Sequence, residues 1–214
     1  MSRFRFLACC TLAFFLELYS GALSAQKILN LDEAAYGESY YSTGYYYLPD
    51  STKKSGLIKY TFRVPGSFRF KDSLSARAIT VNAADCIGFH EDGDKADFHT
   101  LSNVTLSAGL VPLKMSKCFA ELRISGDLCL YLVYFEKNGP NVGGMGPQRV
   151  PTSRYVLKKK HSDAVQEVPK KAKHFKKELS DFLSDKPKIV EFINSHDYTE
   201  DEIEMVVQAY NRSK

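Results

Sequence analysis

The residues best suited to chemistry fall in one short run. Cys86, His90 and His99 stand close together with Glu91, Asp92, Asp94 and Asp97. A thiol, two imidazoles and several carboxylates could bind zinc or form a nucleophile–base pair, because thiolate and imidazole are the side chains zinc prefers and a thiol is activated by a neighbouring base. The spacing matches no strong metal signature. The acids coincide with Asp92-Gly93, a hairpin-turn pair, where Asp and Gly serve the backbone conformation of the turn. The run also lacks the ligand order and closing Glu of an EF-hand loop. No catalytic, cofactor-binding or metal-binding residue is therefore assigned from sequence. A hydrolase or metal-dependent enzyme using Cys86, His90 and His99 is retained as the alternative to a non-enzymatic binding module.

Other stretches invite a functional reading and yield a simpler one. Gly139 to Pro147, GPNVGGMGP, is rich in glycine but lacks the Lys-Ser/Thr of a phosphate-binding P-loop, and reads as a loop. Tyr36, Tyr40, Tyr41, Tyr45, Tyr46 and Tyr47 would suit an exposed aromatic surface for glycan or peptide; the simpler reading is an irregular segment followed by an edge strand, Gly44 to Leu48. The basic runs Lys158–Lys160 and Lys170–Lys177 would suit an anionic envelope surface better than nucleic acid, which an exported protein does not meet. Their simpler reading is a solvated linker and helix face.

Export is read from the first residues. Arg3 and Arg5 precede an apolar core, Phe6 to Leu16, and small residues follow at Ser20, Gly21, Ala22, Ser24 and Ala25. This is the pattern of a secretory signal peptide, and the apolar run is shorter than the roughly 20 residues a membrane-spanning helix needs. Cleavage is expected before Ala25 or Gln26, leaving no transmembrane span. The expected location is the periplasm, the outer envelope or the medium.

The elements that must position these residues follow from periodicity. The 214 residues carry a net charge of +4, are 44% hydrophobic and 25% charged, and include 13 Tyr, 14 Phe and no Trp, an ordinary globular composition with a bias toward strands. Cys118 to Phe135 reads as two strands around Ser125-Gly126-Asp127. The second, Leu128 to Phe135, is apolar on both faces and so belongs inside a sheet. With that turn Ile124 opposes Leu128, which keeps Cys118 and Cys129 too far apart for a disulfide. Leu57 to Val64 alternates as a half-buried strand ended by Pro65-Gly66. Short strands are expected at 78–81, 86–89, 98–101, 104–111 and 155–157. After residue 160 the period turns helical: Phe175, Leu179, Phe182 and Leu183 form one stripe, Ile189, Val190, Phe192 and Ile193 a second, and Ile203, Val206, Val207 and Tyr210 a third. Pro187 suits a first helical turn, and Thr199 with Glu202 is a capping-box pattern. The expectation is an α+β chain: a signal peptide (1–25), an antiparallel β-barrel or rolled β-sheet module (26–160), then a charged linker and helical tail of two to three short helices (161–214). The tail is expected to form a compact unit with its own core, with Phe182 and Val206 inside it.

Several of these segments carry a resemblance. Gly44-Tyr45-Tyr46-Tyr47 is followed by Gly56-Leu57-Ile58-Lys59-Tyr60, then by Gly88-Phe89 and Leu130-Tyr131. The chain closes on Phe182-Leu183-Ser184-Asp185-Lys186-Pro187-Lys188-Ile189-Val190, Tyr198 and Tyr210-Asn211. In these the chain resembles a group of uncharacterised exported proteins of the Bacteroidetes type of Gram-negative bacteria. The region from Phe68 to Ser75, read as an extra turn, and the GPNVGGMGP loop depart from that pattern. The resemblance implies an exported envelope protein of this architecture and carries no activity. Its partner would be an envelope protein, a glycan or an anionic envelope surface.

Overall fold

The computed structural model describes residues 41–109, 111–141 and 147–213. The signal segment, Tyr36, Tyr40 and the centre of the GPNVGGMGP stretch lie outside the described residues. Ten strands form one antiparallel sheet: β1 (Ser42–Tyr47), β2 (Lys53–Tyr60), β3 (Ser67–Lys71), β4 (Ile79–Asn82), β5 (Gly88–Glu91), β6 (Ala96–Leu106), β7 (Leu113–Ile124), β8 (Leu128–Asn141), β9 (Pro147–Lys159) and β10 (Val165–Glu167). Three helices follow, α1 (Ala172–Phe182), α2 (Pro187–Asn194) and α3 (Ile203–Arg212). The chain is thus α+β. The strand order is β10-β9-β8-β7-β6-β5-β1-β2-β3-β4, and the sheet is not closed, because β4 and β10 end the order without pairing to each other. Among the described residues no helix is long and apolar enough to cross a membrane.

Several expectations are corrected. β1 is an interior strand, flanked by β2 and β5, where an edge strand was expected. The stretch read as an extra turn contains β3, whose Phe68 and Phe70 are each 2% exposed. Both ends of the stretch read as a loop, residues 139–141 and 147, are strand, since β8 runs to Asn141 and β9 begins at Pro147. The charged segment after residue 160 contributes β10, which pairs with β9. The expected strand at 86–89 forms two residues later, as Gly88–Glu91.

Alternation divides the apolar residues among three cores. Tyr46, Ile58, Tyr60, Phe68, Phe70, Phe89, Phe98 and Phe119 fill the first, beneath β1 to β6. Its rings meet at offset and edge geometries, such as Phe89 stacked on Phe98 at 4.5 Å and edge-on to Phe119 at 5.0 Å, the arrangements aromatic quadrupoles favour. The second core holds Leu101, Val104, Leu106, Cys118, Ala120, Tyr131, Val133 and Phe135. Leu101 and Val104 are three apart and would face opposite ways on a regular strand. Asn103, with φ 56°, resets the alternation between them. The third core joins Leu128, Leu130 and Leu157 of the sheet to Phe175, Leu179, Leu183, Ile189, Ile193, Ile203, Val206, Val207 and Tyr210. β8 is therefore covered on both faces, as its unbroken apolar run requires.

The same core corrects the picture of the tail. The helices have no separate interior; they bury their stripes on β8 and β9. Val206 is inside, but Phe182 is only partly buried, at the rim beneath the Lys159 ammonium. Leu183, in the C-cap position of α1, takes the interior place. Pro187 does occupy the first turn of α2, and Thr199 and Glu202 do form a capping box before α3. Asp185 ties the layers together, accepting from Lys159 of β9 and from the Tyr210 hydroxyl of α3. Burial alone would raise its carboxyl pKa; those two hydrogen bonds outweigh it and hold the group below the usual carboxylate range.

The β7–β8 register also differs. Ile124 opposes Leu130 where Leu128 was expected, and the ladder shifts between Leu122 and Ile124. The cause is remote in sequence: the Leu128 N–H donates to Asn211 Oδ1 at 2.8 Å and its carbonyl accepts from Asn211 Nδ2 at 2.9 Å. The α3 terminus has taken the main-chain groups that Ile124 would have used. Gly126 lies so close to that amide that a β-carbon would collide with it. Before Glu121 on β7 and after Leu132 on β8 the ladder ends, and the β2–β3 connection fills the gap. Phe119 N–H donates to the Pro65 carbonyl at 2.7 Å, Phe62 lies on Tyr134 with ring centroids 4.1 Å apart, and Arg63 pairs with Glu136 at 3.3 Å.

Candidate functional site

The face of β1 opposite Tyr46 carries Tyr45 and Tyr47, and strand pairing extends that face sideways into two rungs. Ser55, Tyr45, His90 and Asp97 form one, and Lys53, Tyr47, Gly88 and His99 form the other. Tyr45 stacks on His90 (5.1 Å, 18°) and meets Tyr47 edge-on (5.5 Å, 76°). The Lys53 ammonium sits 3.5 Å from the Tyr45 ring centroid. His90 is held between two carboxylates, with Nδ1 2.7 Å from Asp97 and Nε2 3.4 Å from Asp92.

Gly88 leaves a gap in the second rung between Tyr47 and His99. A β-carbon there would meet the Phe98 carbonyl, so the position stays bare. The gap is the floor of a cavity of about 250 Å³ walled by Tyr45, Tyr47, Ile87, Asp97 and His99. A second, shallower depression of about 480 Å³ lies on the other side of Tyr45, where Asp72, Leu74 and Asp92 approach. Burial raises the Tyr45 hydroxyl pKa, and Tyr47, Asp97 and Asp92 add to the effect. His99 donates to or accepts from the Tyr131 hydroxyl at 3.2 Å; burial lowers its pKa against the pull of Asp97, and Lys158 lowers it further.

The trio of the alternative reading, Cys86, His90 and His99, does not converge. Cys86 is buried in the first core, where it donates weakly to the Asn82 carbonyl at 3.8 Å and burial pushes the thiol up to about 11. His90 and His99 stand on the outer face of the sheet. Both ring nitrogens of His90 already face carboxylates, Nδ1 toward Asp97 and Nε2 toward Asp92. Among the described residues no group of three or more His, Cys, Asp and Glu is arranged to hold a metal ion. The face presents aromatic rings, carboxylates and a walled gap.

The chain matches no known protein family, no curated protein and no solved structure. The reading of this face rests on its own geometry.

Sequence reasoning named Tyr45 and Tyr47 within a broader aromatic run, without separating them from Tyr46, and set Asp97 apart from them. The strand period of two in GYYY was the available signal for the first separation. Nothing local could show that β5 would lie beside β1. The basic runs are partly neutralised in place: Lys158 pairs with Asp163 (3.7 Å), Lys170 with Glu200 (2.7 Å) and Lys176 with Asp197 (2.8 Å).

The cysteines supply a test of the packing. Cys86, Cys118 and Cys129 are free thiols, the first two buried and Cys129 partly so. Burial pushes Cys118 up to about 12, and Cys86 to about 11. Shifts of that size reduce the reactive thiolate by on the order of a hundredfold or more near neutral pH. Native alkylation followed by peptide mapping is expected to label Cys129 first, with Cys86 and Cys118 reacting only at the rate of unfolding. Equal labelling of all three would contradict the first and second cores.

Proposed function

We propose that this is an exported cell-envelope protein that acts as a non-enzymatic binding module, holding its ligand on the outer face of β2, β1, β5 and β6. The carrying observation is the half-buried row of Tyr45, His90 and Tyr47 beside the gap at Gly88, with Asp97 and Asp92 at its border. Rings present flat apolar surface and carboxylates accept hydrogen bonds, a combination suited to a polar ligand with hydroxyl or amine groups, such as an envelope glycan or peptide. The basic core-small pattern of residues 3 to 25 supports export, and the resemblance to exported proteins of the Bacteroidetes type agrees with it. We also read the sheet as rolled: the Phe119–Pro65 hydrogen bond, and those from the Ser107 N–H and hydroxyl to Glu167 (2.8 Å each), support strong curvature.

The test is co-sedimentation of the mature protein, recovered from periplasm or medium and beginning at Ala25 or Gln26, with fragments of its native envelope. The double variant Tyr45→Ser/Tyr47→Ser, with an unchanged melting temperature, is expected to bind roughly tenfold more weakly, since each ring contributes about 0.5–1.5 kcal/mol. Pelleting of the variant at wild-type levels would remove this face from the function.

A further inference from the structure

We infer that β4, one end of the sheet, adds a strand from another protein: an extended segment in which acidic and apolar residues alternate. This site lies apart from the row of Tyr45 and Tyr47 and goes beyond the role proposed for that row. Its first support is main-chain. The Ala83 N–H donates to the Gly66 carbonyl at 2.8 Å, and antiparallel bonding alternates from there. Val81 and Ile79 therefore exchange bonds with Phe68 and Phe70, while Thr80 turns its N–H and carbonyl away from β3. Asn82 turns the same way; its carbonyl accepts from the Asp85 N–H at 2.9 Å, and its own N–H faces outward. Among the described residues no main-chain group bonds Thr80 on that side. The other end of the sheet is built differently. β10 is three residues long, Pro169 follows it closely, and Glu167 turns onto Ser107 and Arg154, devices that discourage strand addition. β4 carries no charge, no proline and an unbroken register.

The two faces beside that edge define the partner. Ile79 and Val81 share the face of Phe68 and Phe70, and Ile79, at the margin, is 51% exposed. An added strand places alternate side chains on that face, and an apolar one beside Ile79 extends the first core. The opposite face is basic. Lys59 stands directly across from Arg69, and Arg69 across from Thr80, so one rung carries two like charges, an arrangement that is destabilising by itself. Lys71 follows on the same face of β3, and Arg77 precedes β4. β2, β3 and β4 contain no acidic residue to answer these charges. Asp72 and Asp85 lie past the ends of β3 and β4, and Asp85 already accepts from the Asn82 side-chain amide at 2.9 Å. The partner residue that bonds the Thr80 main chain carries its side chain on this basic face. A carboxylate there relieves the Lys59–Arg69 repulsion; a cation adds to it. The fitting segment is therefore acidic opposite Thr80 and Asn82 and aliphatic opposite Ile79 and Val81.

The experiment titrates the ¹⁵N-labelled mature protein with short peptides blocked at both ends. The probe alternates valine and glutamate; its counterpart alternates valine and lysine. The glutamate peptide should shift the amides of Ile79, Thr80, Val81 and Asn82 saturably, and the lysine peptide should bind at least roughly tenfold more weakly, since it places like charges on Arg69 and Lys59. Thr80→Pro removes an N–H that takes no part in the β3 ladder, so the fold keeps its own bonds while peptide binding falls roughly tenfold. Arg69→Gln should weaken binding roughly two- to fivefold, the range of an exposed charge pair. A second measurement leaves the protein unaltered. Methylating the glutamate main-chain nitrogens, which face Thr80 and Asn82, should abolish binding, whereas methylating the valine nitrogens, on the far edge of the added strand, should preserve it.

The inference is overturned if the glutamate peptide does not bind, if the glutamate and lysine peptides bind alike, if the shifts fall away from β4, or if the two methylated peptides behave alike. It is also overturned if the protein alone sediments as a dimer that Thr80→Pro dissociates, because the edge then belongs to a second copy of this chain. Its outcome is separate from that of the proposed function, which is read by envelope co-sedimentation of the Tyr45/Tyr47 variant.

Discussion

Phe175→Ala is expected to destabilise the sheet and the helices together. Phe175 is fully buried and packs where α1 meets Leu128, Leu130 and Leu157. Removing a buried ring costs about 3–5 kcal/mol, a large share of the roughly 5–15 kcal/mol that holds a typical domain. A chain of this size loses about 2–4 °C of melting temperature per kcal/mol, so a fall of roughly 10 °C is expected. Because the core is shared, limited proteolysis with mass spectrometry should show cleavage in the helices and in β8–β9 accelerating in parallel. Phe182→Ala, at the rim, should cost far less. Selective loss of the helices with a protease-resistant sheet would mean that the tail is a separate unit after all.

The second large effect is expected at the last turn of α3. Asn211→Ala leaves the Leu128 N–H and carbonyl without their partners at a part-buried site. An unsatisfied buried polar group costs about 1–3 kcal/mol, and the loss here should be on the order of 2–3 kcal/mol. Asn211→Asp should not rescue it, since a carboxylate can accept from the N–H but cannot donate to the carbonyl. The exposed neighbour substitution Arg212→Ala should stay within about 0.5 kcal/mol. Urea unfolding reads the difference as a lower midpoint at unchanged slope. Hydrogen exchange at the Leu128 amide should accelerate in both Asn211 variants; protection equal to wild type would remove the clasp from the account of the β7–β8 register.

These two sites also give physical content to the short motifs of the C-terminal region. In Phe182-Leu183-Ser184-Asp185, the leucine enters the shared core and the aspartate receives Lys159 and Tyr210. In Tyr210-Asn211, the tyrosine closes on Asp185 and the asparagine on Leu128. Neither motif supplies catalysis; both fasten helix to sheet.

The amino-acid sequence by itself determined whatever depends on near neighbours. The Asp92-Gly93 turn, the alternation that buries Ile58 and Tyr60, Pro187 in the first turn of α2, the Thr199–Glu202 capping box and the stripe Ile203, Val206, Val207 and Tyr210 are all local, and all appear in the structure. Tertiary structure alone decided which strands became neighbours. β1 meets β5 across some forty intervening residues, and only that pairing places Tyr45 against His90 and Tyr47 against the bare Gly88. A strand's own residues state which faces are apolar, but its main-chain groups accept any partner of suitable register. Phe68 and Phe70 became strand because β2 and β4 flank them. Leu128 changed register because an amide from the far end of the chain took its hydrogen bonds. Side-chain periodicity is written residue by residue; the choice of hydrogen-bonding partner is made only when the whole chain competes for it.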